Sequence, residues 1–330
     1  MSLSNLPTSF GPSFFIRTFM PGFMASTLYS YALMPAFRPE WLGQTSIENK
    51  LLTWIVFAVV FGMTLSALDV QIYQLYEGLR FWPPRIWRWK HQRTLRHFKG
   101  YEDDLLRLKQ GIEELSSKEG QDENELCQMV CRQSHLSSRI REFPYNPDEA
   151  GYSRRYPQEA TRFGNVLCEY EQYPEVQYGM HMMVFWHHLW LILPKEARED
   201  LDLRGAEVDS LVYLSFIFFS YALIGGAGFH HQNILTVTFL GRELVLGGVL
   251  SALLSIFLGW LFYQVSISSL KSYGRYVKSA FDLYRFDLAS RMGIKTSGRL
   301  VADEAEIESW RTLRRYLLDY RRPPPAKGQP

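Results

Sequence analysis

Three histidines in one apolar run, His181, His187 and His188, are the side chains best suited by type to hold a metal. His181 and His188 lie seven apart and so share a helix face. With Cys168 and Glu169 nearby in sequence they could make a metal site. Ligands on one helix usually come three or four residues apart, which favours ordinary packed histidines. Cys127 and Cys131 have that spacing, but no second pair accompanies them, so buried thiols are expected. Glu169 and Glu171 flank Tyr170, point in different directions on a helix, and read as solvated. The chain has no G-x-S-x-G elbow, no G-x-x-x-x-G-K-[ST] loop and no H-E-x-x-H pair. No catalytic residue, cofactor or metal is expected.

The elements around these residues are set by where charge is absent. Residues 244–270 contain 27 positions without Asp, Glu, Lys or Arg, and Lys271, Arg275, Lys278, Asp282, Arg285, Asp287 and Arg291 follow. An uncharged run of that length can cross a hydrocarbon core of about 30 Å. A single helix over 243–292 would cross the membrane and continue into water, reaching roughly 75 Å. Residues 51–68 make a second uncharged run, 18 long, extended by 69–76. Residues 18–37 make a third, diluted by Pro21 and hydroxyl side chains, and 211 to about 228 a fourth. Residues 180–193 are apolar but too short to span, and 229–243 read as a short loop.

Between the two hairpins of spans lies a polar insert. Leu105, Leu108, Ile112 and Leu115 step by three and four, a coiled-coil seam, and 126–140 continue the rhythm after a polar turn. Residues 305–320 read as an amphipathic helix with Ile307, Trp310, Leu313 and Leu317 on one face, and 321–330 as a basic, Pro-rich tail. Segments 80–99 and 271–299 each hold seven Lys/Arg, against two in 38–50 and one in 229–243. The positive-inside bias then places both basic flanks, the insert and both termini in the cytoplasm. The three cysteines fall on that side and imply no disulfide framework. The N-terminus lacks the basic and cleavage-site features of a signal peptide. The expected fold is all-α and polytopic: a first transmembrane hairpin (1–83), a helical cytoplasmic insert (84–206), a second hairpin (207–270), and a stalk, amphipathic helix and disordered tail (271–330).

Three groups of residues stand out as candidate contact sites. Small residues recur every fourth position: Ala58, Gly62 and Ser66 in one span, and Gly247, Ser251, Ser255 and Gly259 in another. They allow close helix approach, within one bundle or between copies of the chain. Arg85, Arg88, Lys90, Arg93 and Arg96 belong to a basic, tryptophan-rich block with no acidic residue from 78 to 101. Its place beside a span favours lipid phosphate over nucleic acid. Arg17 and Asp69 stand near the cytoplasmic edge, where they could pair with each other. The apolar spans otherwise carry no ionisable residue, which weighs against an ion-coupled transporter.

Two segments carry a likeness. One is Thr161-Arg162-Phe163-Gly164-Asn165 with Glu171, Tyr173-Pro174, Tyr178-Gly179 and Trp186; the other is Tyr273-Gly274, then 280–288 (AFDLYRFDL) and Trp310. Together they resemble a family of uncharacterised bacterial multi-span membrane proteins. The resemblance covers about residues 160–320 and implies a bacterial cytoplasmic (inner) membrane and a similar layout, with no activity to carry over. Met180-His181 stand where the family pattern leads one to expect an Asp. Within the second segment, Lys278 and Asp282, Asp282 and Arg285, and Asp287 and Arg291 have the spacing of intrahelical pairs. The stalk is expected to pack on the insert, with Arg162, Gly164 and Asn165 docking against Asp282, Arg285 and Asp287.

The functional expectation is a non-enzymatic membrane protein, an oligomeric channel or effector gated by its cytoplasmic part. A membrane scaffold recruiting a soluble partner through the hairpin is the second reading, and an enzyme with a site in 161–188 the third. The partners implied are membrane lipid, further copies of the chain and a cytoplasmic protein, with no nucleic acid.

Overall fold

The computed structural model describes residues 11–33, 47–117, 123–146, 154–227, 235–239, 242–246, 248–299 and 301–319. In chain order these form α1 (Pro12–Phe14), a π-helical turn (Phe15–Phe19), α2 (Met20–Leu33), α3 (Ile47–Ala67), α4 (Asp69–Glu77), α5 (Pro84–Ser116) and α6 (Glu123–Ile140). Then come α7 (Arg162–Tyr178), α8 (Met182–Ile192), α9 (Lys195–Ala227), β1 (Leu235–Phe239), β2 (Arg242–Leu246), α10 (Gly248–Met292) and α11 (Glu304–Asp319). The described chain is thus helical apart from one antiparallel ribbon, β1 with β2.

Two helices, α9 and α10, are long and apolar enough to cross a membrane. A third candidate is the α3–α4 pair, bent by 56° at its break. The chain divides into two compact units, one of residues 1–73 and 199–273, the other of 74–198 and 274–330.

In the first unit, α2 and α3 pack backbone to backbone. A Cβ on Gly22 would lie 1.9 Å from the Ala58 carbonyl oxygen, and one on Gly62 would lie 2.1 Å from that of Thr18. Only residues without a side chain permit this approach, and it brings many dispersion contacts. The π turn lies just before Pro21, whose ring would collide with the Arg17 carbonyl in a regular α-helix; a widened turn relieves that collision.

The stripe on α10 is also used inside the chain. Ser215 of α9 donates to the Gly259 carbonyl at 2.8 Å, Gly259 lies under the Phe219 ring, and Ser251 and Ser255 are buried. Phe218 and Phe262 stack beside them, 5.5 Å between centroids. Gly247 lies outside the described residues. The opposite side of α10 is exposed at Leu250, Leu253, Ile256, Phe257 and Trp260.

Several boundaries differ from the sequence reading. Residues 244–246 are strand, so α10 opens at Gly248. The boundary expected at 206/207 falls inside one helix, α9, in which the charged stretch 195–209 continues into the apolar stretch. Arg17 and Asp69 consequently find other partners. Arg17 binds Asp209 at 2.7 Å and Asp202 at 3.3 Å, and Asp69 accepts from the Tyr213 hydroxyl at 2.8 Å. Tyr73 also donates to Asp209, at 2.5 Å.

In the second unit, α5 and α6 form a helix pair in which Gly111 meets the Met129 methyl group. Phe98 packs edge-on to Phe143, and Thr94 donates to the Ala160 carbonyl at 3.0 Å, fixing which side of α5 turns inward. Cys127 and Cys131 are exposed rather than buried. The short α8 buries Phe185 and Leu189 and exposes Met183 and Leu191.

Gly62→Leu should force α2 from α3 and cost about 1–3 kcal/mol or more, read as earlier thermal unfolding in a fixed detergent. Met63→Leu, on the exposed side of the same helix, should stay within about 0.5 kcal/mol.

Candidate functional site

The second unit is organised around α7. Thr161 caps it: its hydroxyl accepts from the Gly164 amide at 2.9 Å and donates to the Tyr76 carbonyl at 2.7 Å. One hydroxyl therefore satisfies a free amide at the start of α7 and a free carbonyl at the end of α4. Asn165 rigidifies the approach, its carbonyl oxygen accepting from the Gln158 and Glu159 amides and its amide donating to the Glu159 and Thr161 carbonyls. Arg162 forms a two-pronged pair with Glu142, at 2.7 and 2.9 Å. Glu142, Gln158, Glu159 and Thr161 are thus among the partners of Arg162 and Asn165, and Gly164 lies against the Glu77 carbonyl and the Glu159 side chain.

One turn on, α7 meets the C-terminal half of α10. Glu169 is buried, not solvated, and is held by Lys278 at 2.5 Å and Arg155 at 3.2 Å. Asp282 accepts from the Tyr178 hydroxyl at 2.6 Å and the Tyr173 hydroxyl at 2.9 Å. Arg285 has 0% of its side chain exposed, as has Glu306 of α11, and the two pair at 3.3 Å. Arg285 also donates to the Asp282 and Arg299 carbonyls and lies over the Tyr178 ring, 4.1 Å from its centroid.

Lys278, Asp282 and Arg285 occupy one face of α10, each one turn from the next. They have intrahelical spacing, but Lys278 pairs with Glu169 of α7 and Arg285 with Glu306 of α11, while Asp282 accepts from two tyrosine hydroxyls of α7. Burial explains the choice: a charge removed from water needs partners of good geometry, and neighbours on the same helix supply too few. Asp287 is exposed.

Around this face the aromatic and glycine positions close the packing. Trp186 lies against Phe281, and the fully buried Trp310 sits edge-on to Phe185, 5.1 Å between centroids. Gly179 ends α7 with φ +73°, and a Cβ there would lie 2.7 Å from the Ile307 carbonyl oxygen. Arg314 of α11 reaches Glu175 at 2.5 Å.

The chemistry available here is protonated and neutralised. Burial, with four nearby carboxylates, pushes the Cys168 thiol up to about 12, so it is no nucleophile near neutrality. Burial likewise lifts Tyr173 to about 12 and raises Tyr178, which keeps both phenols as donors to Asp282. Glu171 is pushed up to about 7, first by burial and then by the charge of Glu77; Glu159 is raised for the same two reasons. His188 Nδ1 lies 3.0 Å from the Val184 carbonyl, and no group of three His, Cys, Asp or Glu among the described residues is placed to hold a metal ion. Sequence reasoning missed Glu142, Arg155, Glu175, Glu306 and Arg314; of these, Glu306 and Arg314 lie on the apolar face of the predicted amphipathic helix.

Comparison of the chain with protein-family models, curated proteins and solved structures finds no match.

Arg285→Met should cost roughly 3–5 kcal/mol, because Glu306 is left charged and buried. Adding Glu306→Leu should return a large part of that loss, as measured by denaturant unfolding of the double variant. Glu171 keeps its proton to about pH 7 when folded but loses it in the ordinary glutamate range when unfolded. Its contribution to stability is therefore full in acid and is lost as pH rises through that value. Glu171→Gln should unfold at higher temperature than wild type at about pH 8 and match it at about pH 4.

Proposed function

We propose that this chain is a non-enzymatic integral membrane protein of the bacterial inner membrane, an oligomeric channel or effector gated by its cytoplasmic part. The observation that carries this reading is α10. It is one helix of 45 residues; its first half presents large apolar side chains outward, and its second half is fixed by buried charge. A change in the α7–α10–α11 network therefore acts on the same helix whose first half is read as lying in lipid.

Four passes, with both termini inside, fit the polar cluster of the first unit. Arg17 precedes the first apolar segment, Asp69 and Tyr73 follow the second, Asp202 and Asp209 precede the third, and Tyr273, beside Gly205, follows the fourth. The starts of the odd segments and the ends of the even ones gather together, as alternating passes require. The charge of the following segments supports the cytoplasmic side for that cluster. Apolar side chains exposed along α10 are suited to lipid or to another copy of the chain. The helix pair α5–α6 is read as a short coiled coil. Leu106 and Val130, exposed on it, favour the second reading, a scaffold that recruits a cytoplasmic protein.

Pure protein in liposomes should pass ions, with flux altered several-fold by Asp282→Asn; vesicles that stay tight under every condition would remove the channel reading. Deletion of 101–142 that abolishes co-purification of a partner while insertion persists would favour the scaffold. In intact cells a thiol-reactive, impermeant label should reach Gln44→Cys and fail to reach Leu106→Cys. The reverse pattern would contradict the topology.

A further inference from the structure

We propose that residues 79–99 form a docking surface for anionic phospholipid headgroups, with Phe81 and Trp89 entering the membrane interface and arginines holding phosphate. The first observation is backbone geometry. Phe81 has φ +65°, a region that bulky side chains rarely adopt, and the residue is 68% exposed. A turn that stores strain to display an apolar ring needs surroundings that reward the display. The turn is braced: Trp82 Nε1 donates to the Leu75 carbonyl at 2.9 Å, and Leu79 and Arg80 both donate to the Gln74 carbonyl.

The second observation is the outward face of α5. Phe98 and Thr94 turn inward, which leaves Arg85, Ile86, Arg88, Trp89, Arg93 and Arg96 exposed. No carboxylate pairs with these four arginines among the described residues, and none occurs from 78 to 101. Arg80 lies over Phe81 at 5.2 Å and Arg93 over Trp89 at 5.9 Å, so cation and ring are presented together. Such pairs suit a boundary where rings meet acyl chains and guanidinium groups meet phosphate. The surface begins two residues after α4, the second half of a candidate span, which keeps it within reach of the same bilayer.

The test uses full-length protein in which Cys127→Ser, Cys131→Ser and Cys168→Ala remove the native thiols. A fluorophore on Ile86→Cys is read for quenching by brominated acyl chains, in vesicles of phosphatidylethanolamine with or without phosphatidylglycerol. Quenching should rise with phosphatidylglycerol and fall with salt. Occupancy should weaken roughly fivefold for each charge removed in the Arg85→Gln, Arg88→Gln, Arg93→Gln, Arg96→Gln variant. A label on Leu106→Cys should not respond. The proposal rests on the membrane reading of the first unit, and a label on Leu253→Cys separates the two: it should be quenched whatever the headgroup. With that control quenched, equal Ile86 quenching in both vesicles, or in the neutralised variant, would overturn the proposal. So would loss of RNA-oligonucleotide retention in that variant with lipid quenching unchanged.

Discussion

A helix that carries charge into packed protein must find partners for that charge there, and the C-terminal half of α10 finds them for Lys278, Asp282 and Arg285. Lys278, Asp282 and Arg285 meet Glu169, two tyrosine hydroxyls and Glu306, so the longest of the described helices is tied along its C-terminal half. Buried ion pairs are weak sources of net stability, since desolvation consumes much of the attraction. Their effect here is positional. With the guanidinium of Arg285 enclosed on all sides, α10 cannot rotate or slide against α7 and α11 without exposing an unpaired charge.

The first unit solves a different problem with different means. Its apolar helices, long enough in α9 and α10 to cross a membrane, are held together by fit and by polar bonds. Gly22 and Gly62 provide fit by letting two backbones touch. Ser215 on the Gly259 carbonyl and Tyr29 on Ser220 provide polar bonds. Arg17, sharing Asp202 and Asp209, neutralises charge where the apolar stretch of α9 begins. These ties also account for the bend after α3: Asp69 opens α4 and is fixed by Tyr213 of α9.

Much of this was legible before any coordinates. Uncharged length located α3, most of α9 and most of α10, because a run without charge has few alternatives to an apolar helix. The four-residue rhythm of small side chains located real helix contacts, though inside the chain; periodicity reports a face and not the owner of the face that meets it. Tyr173, Tyr178 and Trp186 of 161–186 meet Asp282 and Phe281 of 280–288, while Asp287 stays exposed. Partners outside these two segments were not legible. Arg155 and Glu142 lie in an irregular stretch with no period, and Glu306 had to be brought beside Arg285 by a turn of the chain. Glu169 looked solvated because a lone carboxylate on a helix usually is, and only the burial created by Lys278 and Arg155 reverses that expectation. The ribbon of β1 and β2 escaped because an uncharged run continues through 244–246 without a change in composition.

The continuity of α10 can be examined by hydrogen–deuterium exchange of the protein in detergent or nanodiscs, following peptides that cover 262–282. One unbroken helix, apolar at one end and anchored by charge at the other, requires slow exchange that runs evenly through Ser266, Leu270, Gly274 and Lys278. Rapid exchange confined to 270–276, between two protected flanks, would show two helices joined by a hinge, and the continuity of the charged stretch with the outward-facing apolar stretch would fall.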